Sequence, residues 1–246
     1  MTNDPDTYKR LAFAVCGALA IGGSTACGDD GGGGGGGEDA PPVQGPVLKQ
    51  PSRSSSIALT EDRTHVAMVN PDDNTLSVFQ TSDNSRTAKV TTGGGPSSVV
   101  MASDNTTAYV ANRSDGTVVR ITGIEGGTPA ITKTVEVGAE PVALALSPTG
   151  TRLFVAELAQ SRVSVIDTAT MEVIQTIDVD RPRALLVTNN LDDSDDDETL
   201  VVPQFYGVPV AGKEGKDDGR TGRIRMFSLG DLAQAKDITL APLDSG

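Results

Sequence analysis

Tryptophan is missing from this chain of 246 residues, and aromatic side chains make up only 3% of it. Proteins that cage quaternary cations or stack nucleobases do so on aromatic rings, so both functions are excluded as main activities. Histidine occurs once, as His65, just ahead of a strand-like segment. No Ser-His-Asp set can be assembled around it, and neither HExxH nor G-x-S-x-G occurs, so no catalytic residue is assigned. The two cysteines, Cys16 and Cys27, both lie near the N-terminus. The rest of the chain can therefore form no disulfide, no cysteine zinc site and no CxxCH haem attachment. Basic residues are outnumbered 20 to 33, and the net charge of −13 argues against a nucleic-acid partner. Helical patterning is scarce too. Valine, isoleucine and threonine dominate and no long 3.6-residue period appears. Only residues 230–236 are expected to form a helical turn.

What is present is a repeat. Asn70, Asn112, Glu157 and Gln204 fall in one column, each closing a short apolar segment: Val66-Ala67-Met68-Val69, Ala108-Tyr109-Val110-Ala111, Leu153-Phe154-Val155-Ala156 and Leu200-Val201-Val202-Pro203. After a polar turn comes a second, largely alternating segment such as Val163-Ser164-Val165-Ile166, as half-buried strands require. The run Val142-Ala143-Leu144-Ala145-Leu146 is apolar throughout and reads as an inner strand covered on both faces. Outer strands are expected at residues 172–179 and 132–137. The spacing, 41 to 47 residues from copy to copy, built from short strands, is the signature of propeller blades. The expected fold is all-β: four-stranded antiparallel blades, about four of them, over residues 55–246.

Pro96, Ser147-Pro148-Thr149-Gly150, Tyr109-Val110-Ala111-Asn112 and Val163-Ser164-Val165-Ile166-Asp167 resemble the repeat of the YVTN β-propellers, the YncE-like family. The resemblance is good over residues 55–177 and weak beyond. It implies seven blades of four strands, and so a chain that is the first part of a longer propeller. It implies nothing specific about function, because these motif residues build turns and blade cores.

The N-terminus reads as an address. Lys9-Arg10 precede an apolar run at residues 11–21, too short to span a bilayer and suited to a signal peptide. Small residues and Cys27 follow, so residues 1–26 resemble a lipoprotein signal and Cys27 is the expected lipidation site, although Ser24 stands where leucine is usual. Cleavage near Ala26 without lipidation is the alternative. Residues 27–54, rich in glycine and proline, read as a flexible tether.

The fourth repeat carries two insertions that should lie on opposite faces. The first includes Asp193, Asp195 and Asp197, spaced like calcium ligands, but Glu198 occupies the position where a calcium loop needs glycine. A solvated acidic loop and weak Ca²⁺ binding both remain open, and no other cofactor is expected. The second insertion bears Tyr206, Lys213, Lys216 and Arg220. With Asn70, Asn112, Glu157 and Gln204 these are the candidate ligand-binding residues, on the alternative that the column merely caps turns. The expected function is that of an extracytoplasmic lipoprotein, periplasmic or at the cell surface. Its propeller would bind a protein or small molecule, or act as a scaffold, without evident catalysis. Two alternatives stand beside it: the propeller part of a larger haem-containing redox surface protein, and a lactonase-like hydrolase.

Overall fold

The computed structural model describes residues 46–241; the signal-like segment, Cys27 and the glycine run lie outside the described residues. Among the described residues there is no α-helix, and eighteen strands form four antiparallel sheets. A short β1 (Ser52–Arg53) comes first. Blade one is β2 (Ile57–Leu59), β3 (His65–Asn70), β4 (Thr75–Gln80) and β5 (Arg86–Thr91). Blade two is β6 (Pro96–Met101), β7 (Ala108–Asn112), β8 (Thr117–Thr122) and β9 (Ala130–Glu136). Blade three is β10 (Pro141–Leu146), β11 (Arg152–Glu157), β12 (Arg162–Asp167) and β13 (Glu172–Asp178). Blade four is β14 (Leu186–Val187), β15 (Thr199–Pro203), β16 (Val208–Pro209), β17 (Arg220–Ser228) and β18 (Asp231–Leu240).

The blades follow from the period-two pattern. In β3 the residues alternate between buried and half-buried, with Ala67 and Val69 turned inward. Strand β10 is buried along its whole length, as its unbroken apolar run demands. The turns that close the second hairpin of each blade place Asn74, Gly116 and Ser161 in the left-handed region. Asn and Gly are the residues that tolerate this conformation best.

Each pair of neighbouring blades encloses an apolar core. Val69, Leu76, Val99 and Val110 fill the first, Tyr109, Val118, Leu144 and Val155 the second, and Phe154, Val165, Leu200 and Phe227 the third. The outward faces of the first and last blades have no such partner: Ile57 and Leu59 are 51% and 47% exposed, Ile238 and Leu240 40% and 46%.

Two features depart from the sequence reading. Residues 231–236 are not helical but begin β18, a long strand that pairs with β17 from Ser228↔Asp231 to Gly222↔Leu240. Good helix formers yield here to a ready sheet edge. The second departure is at the other end. Residues 46–54 were assigned to the tether, yet β1 pairs with β14 and the segment is bonded to blades three and four. Leu48 N donates to Pro148 O at 2.8 Å, the Ser52 hydroxyl accepts from Leu146 N at 2.8 Å, and the Ser54 hydroxyl accepts from Leu185 N at 3.1 Å. Leu48 itself is buried in the second core. Residues 46–56 thus form a strap along the inner strands. It satisfies backbone N–H groups that would otherwise face the axis unpaired.

Candidate functional site

Successive hairpins divide the propeller into two faces. One holds the β3–β4, β7–β8, β11–β12 and β15–β17 turns and with them the Asn70, Asn112, Glu157 and Gln204 column. We call it the column face. The other, the loop face, holds the β10–β11 turn and the acidic insertion between β14 and β15.

On the column face the column residues bind inside their own corners. Asn70 Nδ2 donates to Thr75 Oγ1 and Ser77 Oγ, both at 3.1 Å. Asn112, fully buried, donates to Thr92 O at 3.0 Å and Thr117 Oγ1 at 3.1 Å. Glu157, also fully buried, accepts from Arg162 Nε and Ser164 Oγ. Gly138 lies so close that any β-carbon there would strike the Glu157 carboxylate. A side-chain bond to the residue five positions on is thus common to Asn70, Asn112 and Glu157, and Asn70 and Glu157 add a second one two residues further. Asn112 Oδ1 and Gln204 Oε1 are buried without a hydrogen-bond partner.

The long insertion partly joins this column. Gln204 forms a β-bridge with Pro182, and Phe205 N donates to Arg181 O at 3.0 Å. Tyr206 meets Phe205 edge-on with ring centroids 4.7 Å apart. The Arg181 guanidinium lies over the Tyr206 ring at 4.9 Å and that of Arg183 over Phe205 at 5.6 Å. Arg220 donates to Gly207 O at 2.8 Å and so adjoins the same corner. Lys213 and Lys216 do not: Lys213 pairs with Asp218, and both lysines line a cavity of about 340 Å³ formed by the insertion alone. The eight candidate ligand residues are thus not brought to one site. Arg181, Arg183 and Phe205 stand at this corner without being legible as site residues in the sequence. Their signal lay in the repeat itself, where Arg181 and Arg183 replace Gly95 and Ser97.

The acidic insertion is docked on blade three. Asp195 accepts from Thr149 N at 3.0 Å, Thr149 Oγ1 at 2.8 Å and Thr151 Oγ1 at 3.1 Å, with Arg152 at 3.6 Å. Burial acts to raise its pKa, but these hydrogen bonds and Arg152 outweigh burial and hold it below the usual carboxylate value. Asp197 accepts from Asn190 Nδ2 at 2.7 Å, and buried Glu198 accepts from Asn190 N. The alternating acids thus serve different partners. No group of three or more His, Cys, Asp or Glu side chains among the described residues stands ready for a metal ion, and Asp193 completes none. His65 is buried against Thr64, whose hydroxyl is 2.8 Å from Nδ1.

Comparison with known proteins agrees with this architecture. A family model described as "Lactonase, 7-bladed beta-propeller" matches residues 75–180, from β4 to the end of blade three. The fold is similar to that of Kuenenia stuttgartiensis hydrazine synthase, with TM-score 0.58 and 18% identity over 82% of this chain and 52% of that one. It is similar too to a protein from Lactobacillus plantarum, with TM-score 0.57 and 21% identity over 78% of this chain and 57% of that one. A candidate 6-phosphogluconolactonase from Bacteroides fragilis aligns less well, at TM-score 0.46 and 20% identity over 54% and 41% of the two chains. The chain spans about half the length of the solved structures it matches, and at these identities the likeness is one of fold. No curated protein matches the sequence.

Proposed function

We propose that the chain is a propeller binding module, exported and tethered to a membrane through Cys27, that presents its column face to a ligand. The observation that carries the binding reading is the state of the column. Asn70 and Glu157 turn their side chains to the strand that follows, and Asn112 is fully buried with its amide on Thr117 Oγ1 and Thr92 O, so the face offers shape and exposed side chains instead of a poised nucleophile or base. The strap joins the blades on the loop face, at Leu48 against Pro148, and Asn189 Nδ2 donates to Leu48 O at 2.7 Å.

Replacing Cys27 with alanine tests the anchor. The variant should leave the membrane fraction and appear soluble; a variant still bound to membranes defeats the tether. A second reading, lactone hydrolysis, is favoured by the family match over residues 75–180. Its test is turnover of simple lactones by the purified full chain. Turnover at a rate well above buffer makes the module an enzyme, and none leaves it a binder.

A further inference from the structure

The same backbone corner recurs in three blades and carries different side chains in each. Arg113 N donates to Gly95 O, Leu158 N to Glu140 O and Phe205 N to Arg181 O, all at 3.0 Å. The accepting residue precedes a proline and is left-handed each time, with φ of 61°, 56° and 44°. In blade two it is a glycine. In blade three it is Glu140, which pairs with Arg113 at 2.8 Å and is neutralised. In blade four it is Arg181, and Arg183 stands two residues on.

Neither arginine is neutralised. Among the described residues neither Arg181 nor Arg183 makes an ion pair; each guanidinium lies instead over an aromatic ring. Those rings, Phe205 and Tyr206, are 51% and 47% exposed in a chain that carries very few aromatic residues. Asp180, the adjacent carboxylate, accepts from the Ser161 hydroxyl. Two unpaired guanidinium groups beside two half-open rings, in a chain of net charge −13, are an exception to its general electrostatics. Guanidinium pairs carboxylates in a planar fork, and a ring beneath it fixes that plane. Arg220 nearby is engaged by Gly207 O, so the two guanidinium groups over the rings are the cations this corner offers, and with no lysine beside them they suit a small carboxylate better than a phosphate chain.

We propose that this corner of blade four binds a small organic carboxylate, with its charge on Arg181 and Arg183 and a flat apolar body on Phe205 and Tyr206. The inference rests on reading the chain as a binding module and names the ligand chemistry of that module.

The test is a titration of the full chain with 2-naphthoate, with its neutral counterpart 2-naphthylmethanol as control. Saturable binding of the acid is expected, with the alcohol at least about tenfold weaker. Arg181→Gly is the informative variant, because glycine is what blade two uses at Gly95 in the same left-handed conformation. It should unfold at no lower temperature than the parent and bind the acid about tenfold more weakly. Arg183→Gln should weaken binding in the same sense. Absence of saturable binding, equal affinity for the alcohol, or unchanged affinity in a folded Arg181→Gly variant each overturns the proposal. Those outcomes leave the binding-module reading standing, whereas lactone turnover would remove that reading without bearing on this corner.

Discussion

Blades three and four share one apolar core and are built to opposite standards. Blade three is regular: its inner strand β10 runs six residues, every one buried, and a short Ser147-Pro148-Thr149-Gly150 turn leads to β11. Blade four keeps only two residues of inner strand, in β14, and spends residues 188–198 and, apart from the two of β16, 204–219 on loops. Yet Phe227 and Leu200 of blade four are as buried as Phe154 and Val165 of blade three. The contrast teaches that the repeat is enforced where blades face each other and relaxed where they face solvent. The elaborations then borrow support from the neighbour: Asp195 of the acidic loop is held by the N–H and hydroxyl of Thr149 in the regular turn of blade three.

Several substitutions would break or sharpen that contrast. Deleting the shared core from either side should have the largest effect. Phe154→Ala and Phe227→Ala should each cost about 3–5 kcal/mol in urea unfolding. A much smaller cost for Phe227 would mean that blade four is loosely packed despite its burial. Next comes the corner of blade three. Glu157→Ala strands Arg162 and Ser164 and should cost about 1.5–3 kcal/mol, while Glu157→Asn, the residue type of blade two, should cost about 1 kcal/mol. Equal costs would show that charge, and not capping, matters there.

Asp195→Ala should free the acidic loop with a loss of about 1–2 kcal/mol and faster amide exchange over residues 190–198, with Thr149 N, which loses its acceptor, the blade-three amide that quickens and the strand amides of blade three unchanged. The same contact carries a pH signature. Because the folded carboxyl titrates below the ordinary 3.8, its contribution is complete at neutral pH and disappears as pH falls through the depressed value. Protection of the loop amides, taken relative to their intrinsic exchange at each pH, should therefore fall in acid in the parent and change less with pH in Asp195→Asn. Ser54→Ala removes one strap bond and should cost about 1 kcal/mol, with Leu185 the amide that becomes exposed. Calcium should do least. If the acidic loop is solvated and docked as described, 1 mM Ca²⁺ should stabilise the chain by less than about 0.4 kcal/mol, and a larger rise in melting temperature would restore the calcium-loop reading.

The regular blades were legible in sequence because their signals are local. The continuous apolar run at residues 142–146 and the alternation at residues 163–166 each dictate a strand, and both became one, β10 and β12. Residues 231–236 misled because leucine and alanine favour helix while the edge of β17 sets the outcome. The strap was invisible for a related reason. Its serines show no apolar alternation, and their partners at Leu146 and Leu185 lie 94 and 131 positions away. At the candidate site the column was found, but its role was decided by bonds to residues five positions on. Arg181 and Arg183 escaped notice because only the folded corner lays them over Tyr206 and Phe205.

The pairing of β1 with β14 has a kinetic consequence. In an open row of repeats each unit contacts only its neighbours, so folding can start anywhere and spread as the chain emerges. Here the earliest described strand has no partner until blade four exists, and closing so long a loop delays that step. The strap thus turns a linear array into one cooperative unit. Ser56 O and Ser55 O can take the Val69 and Val99 amides of blades one and two early, but β1 should stay unpaired until the chain is synthesised past Val187, and equilibrium unfolding should lose β1 and blade four together instead of peeling blades singly.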